Sequence, residues 1–289
     1  MKFGLRYCNT GRFVDPGPAV ELVQAAEEAG FESAWTIEHT VVPAGYAPVY
    51  PYSDSGRMGS GADENPRPDP LIWMAYVAAA TSRIKLGTGI LILPQHNPVI
   101  TAKQVATLDH LSSGRIMLGI GVGWMKEEFD ALGAEFDERG PRTDEYMQAM
   151  RALWTEDKPS FAGEYVRFEN AYCRPQPHQP AVPIVVGGHS KAAARRAGRL
   201  GDGFFPARGV PMDLIDLARA TAAEHGRDPA QIEITVSVPD DLEELDRLAN
   251  LGVSRVLVPV ASIQGMNTVI SGPEDALAWK DRLARHADL

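Results

Sequence analysis

The sequence predicts an α/β protein built as a closed (β/α)8 TIM barrel. Short apolar runs alternate with amphipathic segments along all 289 residues, the pattern of a parallel sheet with crossover helices. Eight strand-then-helix units can be counted, the number that closes a barrel of this length. An open doubly wound sheet would show six or seven strands. We read no linker and no internal repeat, so residues 1–289 are expected to form a single barrel domain.

The units run in order. Lys2–Tyr7 reads as the first strand and Pro18–Ala29 as a helix stopped by Gly30, a residue suited to a helix C-terminus. Ser33–Ile37 is the second strand. A loop from Thr40 to Pro68 comes next, without apolar period, expected to cross one barrel face. Asp69–Thr81 is helical, Lys85–Leu91 the third strand and Pro98–Leu111 a helix broken at Ser113–Gly114. Arg115–Gly121 is the fourth strand. The stretch Met125–Pro183 exceeds one crossover, which predicts an insertion with helices at Met125–Leu132 and Thr143–Thr155 and a hairpin at Phe161–Phe168. Strands return at Pro183–Val186, Gly203–Phe205, Glu233–Val236 and Arg255–Val258. The remaining helices are expected at Lys191–Arg199, Met212–Glu224, Leu242–Asn250 and Pro273–His286.

Composition narrows the function classes. The chain is 44% hydrophobic and 23% charged, too apolar for disorder. A net charge of −10 works against nucleic acid and anionic membrane surfaces as partners. No apolar stretch approaches the ~20 residues of a spanning helix, and the first residues lack a signal peptide's apolar core. The two cysteines, Cys8 and Cys173, leave one disulfide open, although so low a count fits a reducing cytoplasm better.

Barrels of this class bind ligands where strands end at their C-termini. After strand two stand Glu38 and His39; a His beside a carboxylate can exchange protons near neutral pH, or simply cap a loop. Strand three ends in GTGI, Gly87 to Ile90, where the glycines admit a planar ligand or mark a kink. Strand four ends in GIGVGW, with Gly119, Gly121, Gly123 and Trp124, short of a dinucleotide fingerprint. Strand five ends in Gly187, Gly188, His189 and Ser190 before a helix. Free amides, two glycines and a capping Ser make an anion site or an ordinary helix start. No HExxH, CxxC, GxSxG or Walker spacing appears, so neither a metal site nor a covalent nucleophile is expected.

Taken in order, AWTIEH at 34–39, the stretches 69–98 and 103–124, EEFDALGAEFDERGPRTDEY at 127–146 and PIVVGGHSKAAARRAGRLGDGFF at 183–205 resemble the luciferase-like monooxygenase superfamily. The resemblance is nearest to its branch of coenzyme F420-dependent oxidoreductases. It implies hydride transfer between this deazaflavin and a small organic substrate. It also implies a catalytic role for His39 beside the ring, assisted by Glu38, and a homodimer. By motif position it implies a non-proline cis peptide at Gly89–Ile90 and cofactor contacts from Thr88, Gly89 and Ile90. Gly121, Val122 and Gly123 fall at the ribityl or phosphate region, and Gly187, Gly188, His189 and Ser190 at the phosphate. The coenzyme's oligoglutamate tail would suit cations such as Lys191, Arg195, Arg196 and Arg208. Two alternatives stand beside this: an FMN-dependent monooxygenase, or a flavin-binding barrel without catalysis. Where sugar-phosphate dehydrogenases of the branch carry an acid after the strand-four glycines, this chain has Trp124, and their substrate-phosphate lysines are not found, which leaves such a substrate unsupported.

Overall fold

The computed structural model describes residues 1–58, 63–261 and 268–286. Eight parallel strands close into a ring: β1 (Lys2–Arg6), β2 (Ser33–Thr36), β3 (Lys85–Thr88), β4 (Ile116–Gly121), β5 (Ile184–Gly187), β6 (Gly203–Phe205), β7 (Glu233–Ser237) and β8 (Arg255–Pro259). Each strand pairs with its sequence neighbours, and β1 pairs with β8 to complete the barrel. All six residues of β4 are buried, because the barrel interior covers one face and helices cover the other.

The helices are α1 (Pro16–Ala29), α2 (Pro70–Ala78), α3 (Pro98–Leu111), α4 (Lys126–Leu132), α5 (Arg139–Thr155), α6 (Lys191–Leu200), α7 (Met212–Glu224), α8 (Leu245–Asn250), α9 (Pro273–Ala278) and α10 (Lys280–His286). Pro at the first position of α2 and α3 removes an amide that would lack a partner there. The insertion after β4 holds α4, α5 and an antiparallel hairpin pairing Phe161–Ala162 with Arg167–Phe168. α5 begins four residues earlier than expected, since Pro141 sits in its first turn, where proline is tolerated. The expected C-terminal helix is two, parted at Trp279, whose ring packs 6.3 Å from Phe3 and 5.9 Å from Phe31. The long loop after β2 has neither helix nor strand at 40–58 and 63–68; its positions 59–62 lie outside the described residues. Cys8 and Cys173 are both free and buried, so the disulfide left open by the sequence is not formed. Among the described residues, no helix is long and apolar enough to cross a membrane.

Inside the barrel, Trp35, Met117, Val185, Phe205 and Leu257 pack as one cluster. A Cβ on Gly87 would come within 2.8 Å of the Trp35 ring, so this glycine makes room for a core indole rather than for a ligand. At the opposite end from the strand C-termini, fully buried Arg255 is held by Glu32 at 2.9 Å and Glu233 at 3.0 Å. Burial alone would raise the Glu32 pKa, but the hydrogen bond and charge of Arg255 outweigh it and bring it down to about 2.

Candidate active site at the C-terminal ends of the strands

Because all eight strands run parallel, their C-terminal ends meet on one face. There the chain leaving β2 is pinned by buried Asn9, whose side chain donates to Ile37 O and accepts from Ile37 N, each at 2.8 Å. This fixes the next two residues. In extended chain successive side chains point to opposite sides, and Glu38 and His39 part company accordingly.

His39 Nδ1 lies 3.0 Å from Glu128 Oε2. Glu128 belongs to the first turn of α4 and its side chain is fully buried. Its other oxygen accepts from the amides of Thr40 at 2.7 Å and Val41 at 3.3 Å. The carboxylate therefore holds both the imidazole and the start of the long loop. Glu38, expected to assist His39, does not touch it. The Glu38 carboxylate accepts from Ile92 N at 2.5 Å and meets His96 Nε2 at 2.9 Å. Burial opposes charge on His96, but the hydrogen bond to Glu38 and the carboxylates of Glu38, Asp69 and Glu128 prevail and raise its pKa.

The peptide between Gly89 and Ile90 is cis. Ile90 rests against two glycines of neighbouring strands. A Cβ on Gly121 would stand 2.6 Å from Ile90 Cδ1, and one on Gly187 would stand 2.5 Å from Ile90 Cγ2. These glycines thus clear space for Ile90, which is partly exposed and forms a low floor at the strand ends. Thr88, expected at the cofactor, is fully buried and its hydroxyl donates to Gly119 O at 2.6 Å, so it braces the seam between β3 and β4. Val122, Gly123 and Trp124 are partly exposed beside this floor. Gly123 has φ +77 and faces Ile92 and Phe129, a place no side chain would fit.

At the end of β5, Gly188 takes φ +135 and its amide donates to Phe205 O at 3.1 Å. Ser190 caps α6, accepting from Ala193 N at 3.2 Å, and both His189 and Ser190 are exposed. The first amides of this ten-residue helix have no partner within it, as at any helix start. Of the cations expected at the rim, Lys191, Arg195 and Arg208 are exposed. Arg196 is not at the rim: it is buried, pairs with Asp144 and donates to Gly140 O at 3.0 Å.

A cavity of about 700 Å³ opens on the same face between the ends of β1, β6 and β7. Arg6, Tyr7, Tyr50, Arg208 and Ser237 form part of its wall. Aromatic rings join it to His39: Trp124 lies 6.0 Å from the imidazole and 5.0 Å from Tyr50, centroid to centroid. Sequence reasoning missed Glu128 and Arg6. For Glu128 a signal was present, since it shares the helix face of Met125, Phe129 and Leu132 at spacings of three and four. Arg6 gave none; a lone arginine at a strand end reads as a solvated charge.

A parallel (β/α)8 barrel with a paired histidine and a cavity at its strand C-termini defines a ligand-binding barrel of enzyme type. The family described as luciferase-like monooxygenase matches residues 6–251, and the chain belongs to it. An uncharacterized protein of Mycobacterium tuberculosis is 32% identical over 98% of both chains. An F420-dependent glucose-6-phosphate dehydrogenase of Kineococcus radiotolerans is 30% identical, covering 93% of this chain and 76% of its own. An F420-dependent secondary alcohol dehydrogenase, solved with an F420-acetone adduct, superposes with a TM-score of 0.76 over 99% of this chain and 98% of its own, at 20% identity. The likeness within the family thus lies toward its F420-dependent oxidoreductase branch.

Proposed function

We propose that this protein is an enzyme transferring hydride between coenzyme F420 and a small organic substrate. The observation that carries the reading is the pairing of His39 with buried Glu128 on the same barrel face as the Ile90 floor. The donor set suits the coenzyme: a glycine-cleared apolar floor for a planar ring, and unsatisfied amides with a Ser cap at α6 for a phosphate. On this reading Ile90, Val122 and Gly123 hold the ring and ribityl chain, and Gly188, His189 and Ser190 the phosphate. When bound, F420 supplies a two-electron hydride donor or acceptor that does not readily activate oxygen.

The chain's own contribution is a positioned proton site. A carboxylate can only accept, so Glu128 keeps a proton on His39 Nδ1 and leaves Nε2 as the exchangeable position. Oxidation of a substrate alcohol leaves its hydroxyl proton on Nε2, and reduction of the carbonyl draws the proton from the same atom. The Trp124 ring lies against His39, with Tyr46 and Tyr50 packed on Trp124 in turn, and this aromatic group keeps water from that side. The test is anaerobic turnover of reduced F420 against a panel of ketones and aldehydes. Carbonyl-dependent oxidation supports the reading; consumption that requires FMN and oxygen replaces it with the monooxygenase.

The same reading places the protein in a reducing cytoplasm, consistent with its two free buried cysteines. It also makes the protein a homodimer. Adjacent helices α2 and α3 expose Ile72 and Tyr76, and Val99 and Ile100, an apolar face of the kind that marks association. Light scattering giving the mass of one chain would remove the dimer.

A further inference from the structure

Arg6 is a buried charge in the cavity wall, and its side-chain hydrogen bonds go to neutral groups. It sits at the last position of β1, less than a tenth exposed. Its guanidinium lies 4.2 Å from the Tyr7 ring centroid and 5.2 Å from that of Phe205, so two aromatic faces hold it flat. Its Nη atoms donate to the hydroxyls of Ser237 and Tyr7, both neutral. Its Nε is buried with no hydrogen-bond partner. Among the described residues Arg6 forms no ion pair. A guanidinium taken from water without a carboxylate or phosphate costs several kcal/mol, and its five-donor fork matches a planar anion.

The other charges of the wall are exposed or half-exposed. Arg208 and Asp54 stand at the rim, Asp240 is exposed beside them, and Glu244 pairs with Arg247 at 2.9 Å. Water and salt screen these, whereas Arg6 is not screened. Around it the wall is made of Tyr50, Val210 and Leu248 among others, a surface for an apolar or aromatic body.

We propose that this cavity binds the substrate of the hydride transfer by a carboxylate held on Arg6, making the substrate an organic acid with an apolar or aromatic body. The inference rests on the function proposed above. His39 is not part of the cavity wall and stands two ring-to-ring steps, of 6.0 and 5.0 Å, from Tyr50 within it. The carboxylate therefore lies several bonds from the reacting carbon, and a 2-hydroxy acid is too short. The coenzyme's glutamate tail is a second source of carboxylate. It hangs from the phosphate, however, and α6 receives phosphate at the end of β5, across the barrel from β1.

The test is calorimetric binding of phenylacetate and of its uncharged analogue phenylacetamide to the purified protein, with and without F420. The account expects the acid to bind about tenfold or more tighter than the amide. R6Q should abolish that preference and R6K should restore part of it. Equal binding of acid and amide by the wild type overturns the proposal, whether or not any variant folds. Titration with F420 and with its tail-free chromophore separates the two sources. If R6Q weakens F420 but not the tail-free form, the tail occupies Arg6 and the substrate assignment fails. Loss of F420 binding by the wild type, with the preference for acid intact, would instead sink the hydride-transfer reading alone.

Discussion

His39 Nδ1 meets Glu128 Oε2 at 3.0 Å, a pairing between residues 89 apart in the chain. The same carboxylate anchors Thr40 and Val41, so the proton site and the origin of the long loop share one support. E128Q keeps the shape and one acceptor but loses the charge. It should lower kcat at least tenfold, against a loss of about a hundredfold or more for H39A. The double variant should cost little beyond H39A, because the two side chains act as a unit. Steady-state kinetics on the three variants decides this, and additive losses would separate the pair.

The packing of Ile90 makes a sharper prediction. G121A and G187A should each cost about 1–3 kcal/mol by overpacking, read as a shift of the urea midpoint. I90V removes Cδ1, the atom nearest a Cβ at Gly121, but keeps Cγ2, the atom nearest a Cβ at Gly187. A Cβ at Gly121 would still stand 2.9 Å from Cγ1, which valine keeps, so I90V should relieve G121A in part and leave G187A unrelieved. Relief of both alike would show that the floor rearranges freely.

Glu38 and His96 predict a pH dependence. Burial opposes the charge on His96, but Glu38 raises its pKa above the ordinary histidine value of ~6.5. A group raised in the folded state stabilises fully below its unfolded pKa, and that stabilisation fades as pH rises through the folded one. The stability advantage of wild type over H96Q should thus be largest in mild acid and shrink above neutrality. Denaturation curves across that range check it; an advantage that grows with pH would contradict the pairing.

Much of the fold is legible in the sequence for physical reasons. The eight strands are readable because each is a short apolar run closed by turn residues, and the hairpin at Phe161–Phe168 because it breaks the helical period. His39 and the glycine-rich strand ends are readable as positions, since the end of a barrel strand delivers its next residues to the C-terminal face. Their contacts are not readable in the same way. Glu38 stands next to His39 in sequence, yet extended chain turns it toward His96, and the partner of His39 comes from a helix in the insertion. The glycines at 87, 121 and 187 look like room for a ligand and instead make room for Trp35 and Ile90. Arg196 looks like a rim cation, but its face of α6 is the buried one.

The central claim is the identity of the cofactor, and fluorescence titration of the purified apoprotein with F420, run in parallel with FMN, tests it most directly. The account predicts saturable binding of F420, with FMN much weaker. Tight binding of FMN with none of F420 would contradict it and move the chemistry to oxygen.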